Sequence, residues 1–263
     1  MIVYEYPFNE RIRTYLRLER LFGRLNELLP HDAALLHHYA LTTLFEILDI
    51  AGRTDLKSEV MRDLEKQKSI LSNYRGNPAV SEGVLEQLVG QIDHHFGALL
   101  SAAGKSGQPL IESEWLTAIR NRLDIPGGTC EFDLPAYHAW QHRPADQRRA
   151  DILQWVSALE PLACAINLLV GLLRQTGHPH KAMAAGGQFQ QALPGRGPDF
   201  ELLRLFIDEQ HGLIPEISGN RLMVSVRFLS QDAQFHLFPF TEDVVFELAL
   251  CTFPAGLKTR LSN

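Results

Sequence analysis

Cysteine is scarce in this chain of 263 residues, with only Cys130, Cys164 and Cys251. Three widely spaced thiols without a Cys-x-x-Cys pair exclude a disulfide framework and fit reduced side chains in a cytosolic protein. Positive charge is short as well: 25 lysines and arginines face 31 acids, for a formal net charge of -6. That balance argues against general nucleic-acid binding, which rests on broad positive potential. Long apolar runs are missing too. The longest, Leu162–Leu173, is interrupted by Asn167 and falls short of a bilayer span. Residues 1–10 show no basic segment leading into an apolar one, so no signal peptide is expected. The expectation is a cytoplasmic protein with no membrane insertion.

Catalytic signatures are equally thin. Gly104-Lys105-Ser106 matches only the end of a Walker loop, because Leu99 stands where the motif needs its first glycine. Gly186-Gly187 opens no helix, which leaves a dinucleotide fingerprint unsupported. No Gly-x-Ser-x-Gly elbow exists. Eleven histidines invite a metal reading, but His37-His38 and His94-His95 are adjacent pairs that point apart on a helix. His138 and His142 do have helical ligand spacing, with Cys130 nearby in sequence. No glutamate follows His138 in the metalloprotease manner. A metal-dependent enzyme using Cys130, His138 and His142 stays open as the alternative. The leading expectation is no catalytic residue, no cofactor and no metal.

What the sequence does have is a stripe of arginines. Arg13, Arg17, Arg20 and Arg24 follow at steps of four, three and four, which puts them on one helical face. Phe8, Tyr15, Leu18, Phe22, Leu25 and Leu29 project to the opposite side. Such a stripe is either a solvated face that pairs with nearby acids such as Glu27, or placed charge aimed at a partner. Further along, Arg221 and Arg227 read as sharing the outer face of one strand, with Arg204 on a neighbour. Two such basic sets would suit a carboxylate-rich peptide through bidentate guanidinium contacts.

Periodicity divides the chain. Helices are expected over Phe8–Leu29, Ala33–Ile50, from a Thr54 cap to about Tyr74, from Ser81 through Phe96, and over Ile111–Leu123, Leu134–His142 and Ala145–Gln175, the last bent at Pro161. Residues 103–107 read as a flexible break, and Thr129–Phe132 as a short strand. Beyond His178 the pattern alternates, with strands at Phe189–Leu193, Phe200–Asp208, Arg221–Leu229 and Asp243–Cys251, and an edge strand from Ile2–Tyr6. The expected fold class is α+β: a mainly helical domain over 1–177 coupled to an antiparallel β domain over 178–255, then a tail over 256–263. Residues 1–6 and 126–134 are candidate contributors to the β region. With 45% hydrophobic residues the chain can bury one large core or two coupled ones.

Two long blocks then point to a family. Tyr6-Pro7-Phe8-Asn9-Glu10-Arg11-Ile12-Arg13-Thr14-Tyr15-Leu16-Arg17-Leu18-Glu19 and Arg122–Trp140, with its Ile125-Pro126-Gly127-Gly128 turn, resemble bacterial division proteins of the ZapD family. Asp199–Leu205, Pro215–Gly219 and Phe246–Ala249 fit the same pattern in the same order. The resemblance implies a non-enzymatic regulator: a homodimer of helical and β domains that binds the C-terminal tail of FtsZ, the tubulin-like division GTPase, and bundles its filaments at the midcell ring. It points to Arg13, Arg17 and His138 as tail-binding residues, and less directly to Arg221. The family carries a basic residue two places beyond Arg221, where this chain has Met223. Arg227 joins these candidates on the strand-face reading. The basic tail residues Lys258 and Arg260 receive no role.

Overall fold

The computed structural model describes residues 1–53, 55–102, 104–194 and 199–253. Strand β1 (Ile2–Pro7) is followed by helices α1 (Glu10–Leu28), α2 (Ala34–Ala51), α3 (Leu56–Ser72), α4 (Glu82–Ser101), α5 (Gln108–Ile111), α6 (Glu114–Leu123), α7 (Pro135–Gln141), α8 (Ala145–Ser157) and α9 (Glu160–Gln175). Strands β2 (His180–Ala184), β3 (Gln188–Ala192), β4 (Leu202–Ile207), β5 (Ile214–Gly219), β6 (Met223–Gln231), β7 (Leu237–Pro239) and β8 (Val244–Cys251) complete the order. The class is α+β, as the switch from helical to alternating periodicity predicts. Two compact units divide the chain. One takes Met1–Thr14 with the chain from Val170 onward, and the other takes Tyr15–Leu169.

In the helical unit, Leu18, Phe22 and Leu25 of α1 are buried, as are Leu41, Leu44, Ile47 and Leu48 of α2. Helix α1 therefore turns its apolar stripe inward, as its spacing requires. Tyr15 Oη donates to the buried Asp63 carboxylate on α3 at 3.0 Å. Arginines of α8 hold the connection between α1 and α2. Arg148 is buried and donates from Nε to His37 Nδ1 at 3.1 Å. It also donates to the Asp32 carbonyl at 2.5 Å, and Arg149 Nε donates to the Leu29 carbonyl at 2.9 Å. A buried guanidinium needs its donors matched, and these carbonyls match them.

Three segments differ from the sequence expectations. Helices α8 and α9 meet at a 67° bend located at Ala158–Leu159, ahead of Pro161. The proline sits in the first turn of α9, where a missing N–H costs no hydrogen bond. Thr129–Phe132 forms no strand. Cys130 N–H bonds back to the Gly127 carbonyl at 3.1 Å, and the N–H groups of Asp133 and Leu134 bond to the Cys130 carbonyl at 3.1 and 2.9 Å. Both polar groups of the Cys130 backbone are thus engaged in local turns rather than in a ladder. A Cβ on Gly128 would lie 2.4 Å from the Arg122 carbonyl, so only glycine lets the loop fold back on α6. Residues 126–134 therefore add nothing to the sheets. Nor are residues 104–107 a loose linker: Ser106 and Gly107 are buried, and Lys57 Nζ donates to the carbonyls of Ala102 and Gly104 at 2.6 and 3.2 Å. The expected cap Thr54 and the tail 256–263 lie outside the described residues.

The β unit contains two antiparallel sheets, ordered β1-β4-β8-β2 and β3-β6-β5, with β7 also on β6. Their inner faces share one core. Leu203, Leu205 and Ile207 of β4, Val224, Val226 and Phe228 of β6, and Val244, Phe246 and Leu248 of β8 alternate into it. Strand β1 joins as an edge, pairing Ile2–Pro7 with Ile207–Leu202. Tyr6 Oη clamps the two sheets, donating to the Gly219 carbonyl at 3.3 Å and accepting from its N–H at 3.2 Å. A Cβ at Gly219 would stand 2.8 Å from the Phe8 ring, so the clamp requires glycine.

His37 generates a pH prediction. Burial and the Arg148 charge both lower its pKa from the ordinary value of 6.5. Below about pH 6.5 the unfolded chain takes up a proton that the folded ring resists, so stability falls as pH drops. Burial lowers His38 and His95 in the same direction. Thermal unfolding followed by circular dichroism from about pH 7.5 to 5 should show falling Tm. His37→Asn, which keeps an acceptor for Arg148, should flatten part of that fall. An unchanged slope would refute the assignment.

Candidate functional site

The site begins at the N-terminus of α1. Asn9 is its N-cap: the side-chain Oδ1 accepts from Ile12 N–H at 2.9 Å. The same side chain donates from Nδ2 to the Glu201 carboxylate. Arg11 donates to the other Glu201 oxygen at 2.8 Å, and its guanidinium lies 5.9 Å from the Phe253 ring centroid. Glu201 is nearly buried, at 8% exposure. Asn9, Arg11 and Glu201 line a cavity of about 350 Å³ in the β unit. Phe8, Leu193, Phe200 and Leu222 supply apolar lining, while Asn220 and Arg221 supply polar groups.

Arg221 reaches this cavity from a turn, not from a strand. Asn220 Oδ1 accepts from the N–H groups of Leu222 and Met223 at 2.8 and 3.1 Å. That Asx turn holds Arg221 and Leu222 ahead of β6, which starts at Met223. Arg221 and Arg227 therefore do not share a strand face. Arg227 lies within β6 and donates to Glu216 on β5 at 2.9 Å. Arg204 belongs to the other sheet. It donates to Glu5 at 3.0 Å, and Arg174 takes the same carboxylate at 2.8 and 2.7 Å.

The α1 stripe divides in the same way. Arg13 donates to Glu10 at 2.9 Å, and Arg24 pairs with Glu46 on α2 at 2.6 Å. Arg17 and Arg20 are exposed and have no ion pair among the described residues. Arg221 is exposed and unpaired in the same sense. Arg11, Arg13, Arg221 and Arg227 belong to the β unit, while Arg17 and His138 belong to the helical unit.

His138 stands exposed on α7, its ring 4.4 Å from that of His142. His142 Nδ1 is 2.9 Å from the His138 carbonyl. The inner face of α7 is fixed by an aromatic cluster: Tyr137 stacks on Trp140 at 5.8 Å, and Trp115 meets both. Tyr137 Oη bonds to His38 Nδ1 at 2.7 Å. Cys130, His138 and His142 do not form a ligand set: among the described residues no three His, Cys, Asp or Glu side chains gather as a metal site. Burial pushes the Cys251 thiol up to about 11 and raises Cys164, so neither is a ready thiolate.

Arg11 and Asn9 went unread in sequence. Arg11 lies two residues from Arg13, about 200° around the helix, and so falls off the stripe. An asparagine just before an amphipathic helix was the available signal. Among the described residues no single helix is long and apolar enough to cross a membrane. The bent α8–α9 pair passes that test only by length and composition.

These features define an α+β protein whose candidate site residues are exposed arginines and a histidine, with an apolar-walled cavity inside the β unit. The family model for the cell division protein ZapD matches residues 16–227. Curated ZapD proteins from Cupriavidus taiwanensis and Cupriavidus necator are 49% and 50% identical over 254 residues, covering 96% of this chain and 100% of each relative. The Janthinobacterium relative is 49% identical over 253 residues, with the same coverage. The chain belongs to the ZapD family of cell division proteins, and its role is in cell division.

The paired and unpaired arginines should differ in stability measurements. Arg11→Ala strands a nearly buried carboxylate and should cost about 1–3 kcal/mol in urea unfolding. Arg17→Ala should stay within about 0.5 kcal/mol of the parent. Equal effects would remove the distinction between structural and available cations.

Proposed function

We propose that the protein is a non-enzymatic homodimer that binds the C-terminal tail of FtsZ and cross-links its filaments. It would act in the cytoplasm, at the midcell division ring. The observation that carries this reading is that Arg17 and Arg221, at positions to which the family resemblance and the arginine stripe point, are exposed without acidic partners among the described residues, as are Arg20, Arg53 and Arg62. Free guanidinium groups can take a peptide's carboxylates or carbonyls without first breaking an internal pair. Within the β unit, the cavity beside Arg221 offers Phe8, Phe200 and Leu222 to an apolar side chain of the tail. Arg13 lies one helical turn before Arg17, and exchange of its Glu10 partner for a tail carboxylate is cheap at an exposed pair. His138 supplies a further exposed donor. Arg227 serves less well, because Glu216 already holds it.

Cross-linking then follows from bivalence. Two tail sites on one dimer join two filaments, and the second attachment gains from effective concentration without new contacts.

A synthetic FtsZ C-terminal peptide, titrated by fluorescence polarisation, tests the reading. Arg17→Glu with Arg221→Glu should lower affinity at least about tenfold while leaving the circular dichroism spectrum unchanged. Affinity should also fall as salt rises from about 50 to 500 mM, because exposed charges are screened. Unaltered binding by the double variant, or salt-independent binding, would reject this site.

A further inference from the structure

The two outer faces of the β unit differ. On the β3-β6-β5 sheet, Gln188, Arg227 and Glu216 form one register row, and Gln190, Ser225 and Ser218 the next. That face is polar in these two rows, with Ala192 and the exposed Met223 in the row beyond. On the β1-β4-β8-β2 sheet, Val3, Phe206, Glu247 and Lys181 form one outward row, and Val245 and Met183 the next. Val245 is 64% exposed, Met183 59% and Val3 44%.

One end of this second face is already covered. Ala249 and Cys251 are fully buried, and a Cβ on Gly177 would come within 2.5 Å of Cys251 Sγ. The chain leaving α9 therefore closes over that end, while Glu5 with Arg174 and Arg204 seals the adjoining row. The apolar row at the other end has no such cover. Contiguous apolar side chains on a sheet face mark an interaction surface when nothing else buries them.

The charges indicate the occupant. Lys181 and Glu247 stand directly opposite each other in register, yet neither is in an ion pair among the described residues. A patch that carries one unpaired cation, one unpaired anion and an apolar row complements itself. Rotated by a two-fold axis, it sets Lys181 of each copy against Glu247 of the other and stacks the Val245–Met183 rows, as an isologous interface requires. A partner of single charge sign would leave one of the two unmatched.

We infer that the outer face of the β1-β4-β8-β2 sheet is where two copies of this chain associate. This rests on the proposed dimer and assigns its interface, apart from the Arg221 cavity. Sedimentation equilibrium of the full chain, checked by circular dichroism, tests it. Val245→Glu should yield monomer. Lys181→Glu, which faces like charges at both symmetric contacts, should weaken association about tenfold. The exchanged pair Lys181→Glu with Glu247→Lys should restore it to within about threefold. Val245→Glu should also keep its FtsZ-peptide affinity while losing filament bundling. Variants that dimerise like the parent, or an exchange that fails to rescue, would overturn the interface and leave the dimer standing. A monomeric parent would overturn both. Loss of peptide affinity in Val245→Glu would show that this face belongs to the tail site instead.

Discussion

A nearly buried carboxylate, Glu201, fixes the geometry on which the β unit's candidate site depends. Its backbone N–H bonds to the Cys251 carbonyl at 2.9 Å, and its carbonyl receives Phe8 N–H at 3.0 Å. The residue thus extends the β1-β4-β8 pairing beyond the strands themselves. A carboxylate held there must find donors, since an unpaired buried charge is far more costly than a paired one. Asn9 and Arg11 supply them. Asn9 can do so only if its other amide atom caps α1, so the helix starts at one residue and in one rotational phase. That phase carries Arg13 and Arg17 away from Glu201 while Arg11 faces it. Neighbouring arginines in one short motif therefore receive opposite tasks.

The arginines as a whole divide along that line. Arg11, Arg148, Arg149, Arg174 and Arg204 hold carboxylates, carbonyls or a histidine within their own units, and their charge is part of the fold. Arg17, Arg20, Arg53, Arg62 and Arg221 hold nothing among the described residues. A net charge of -6 strengthens the meaning of this division. An acidic surface repels most anionic macromolecules, so a few unpaired cations select for geometry rather than for bulk negative charge. Arg20 shares the exposure of Arg17 but lies farther from the N-terminal motif.

Much of this was legible in the sequence because periodicity is a one-dimensional record of burial. The alternation of Val224, Val226 and Phe228 places β6, and the opposed faces of α1 follow from its 3.6-residue period. The α+β class follows from the change between the two. What escaped was decided by partners distant in sequence. Arg204 and Arg227 both alternate outward, but they stand on different sheets, which no local pattern reveals. Arg221 looked like the first outward residue of a strand. The Asn220 Asx turn removes it from the ladder and gives it to the cavity instead. Thr129–Phe132 has strand-forming residues, but the Gly127-Gly128 turn ahead of it draws the Cys130 N–H and carbonyl into local bonds. Arg11 was hidden because its reason for being an arginine, Glu201, lies 190 positions away.

The same contrast between satisfied and unsatisfied groups links the two proposed surfaces. In the cavity region, Arg11 is held by Glu201 while Arg221 has no ion pair among the described residues, so binding at Arg221 need not break the Arg11–Glu201 pair. On the β1-β4-β8-β2 sheet, the sealed row of Glu5, Arg174 and Arg204 borders an open row in which Lys181 and Glu247 stay unmatched. An exposed guanidinium group gains modestly per contact, because exposed ion pairs are weak in water. Such a contact suits a regulator of a dynamic filament only if affinity comes from elsewhere. Duplication through the proposed sheet-face dimer would supply it, since linked weak sites release one at a time yet hold together collectively. Weak pairing at the tail and self-pairing at the sheet are then complementary requirements: strengthening the first would remove the reversibility that the second makes useful.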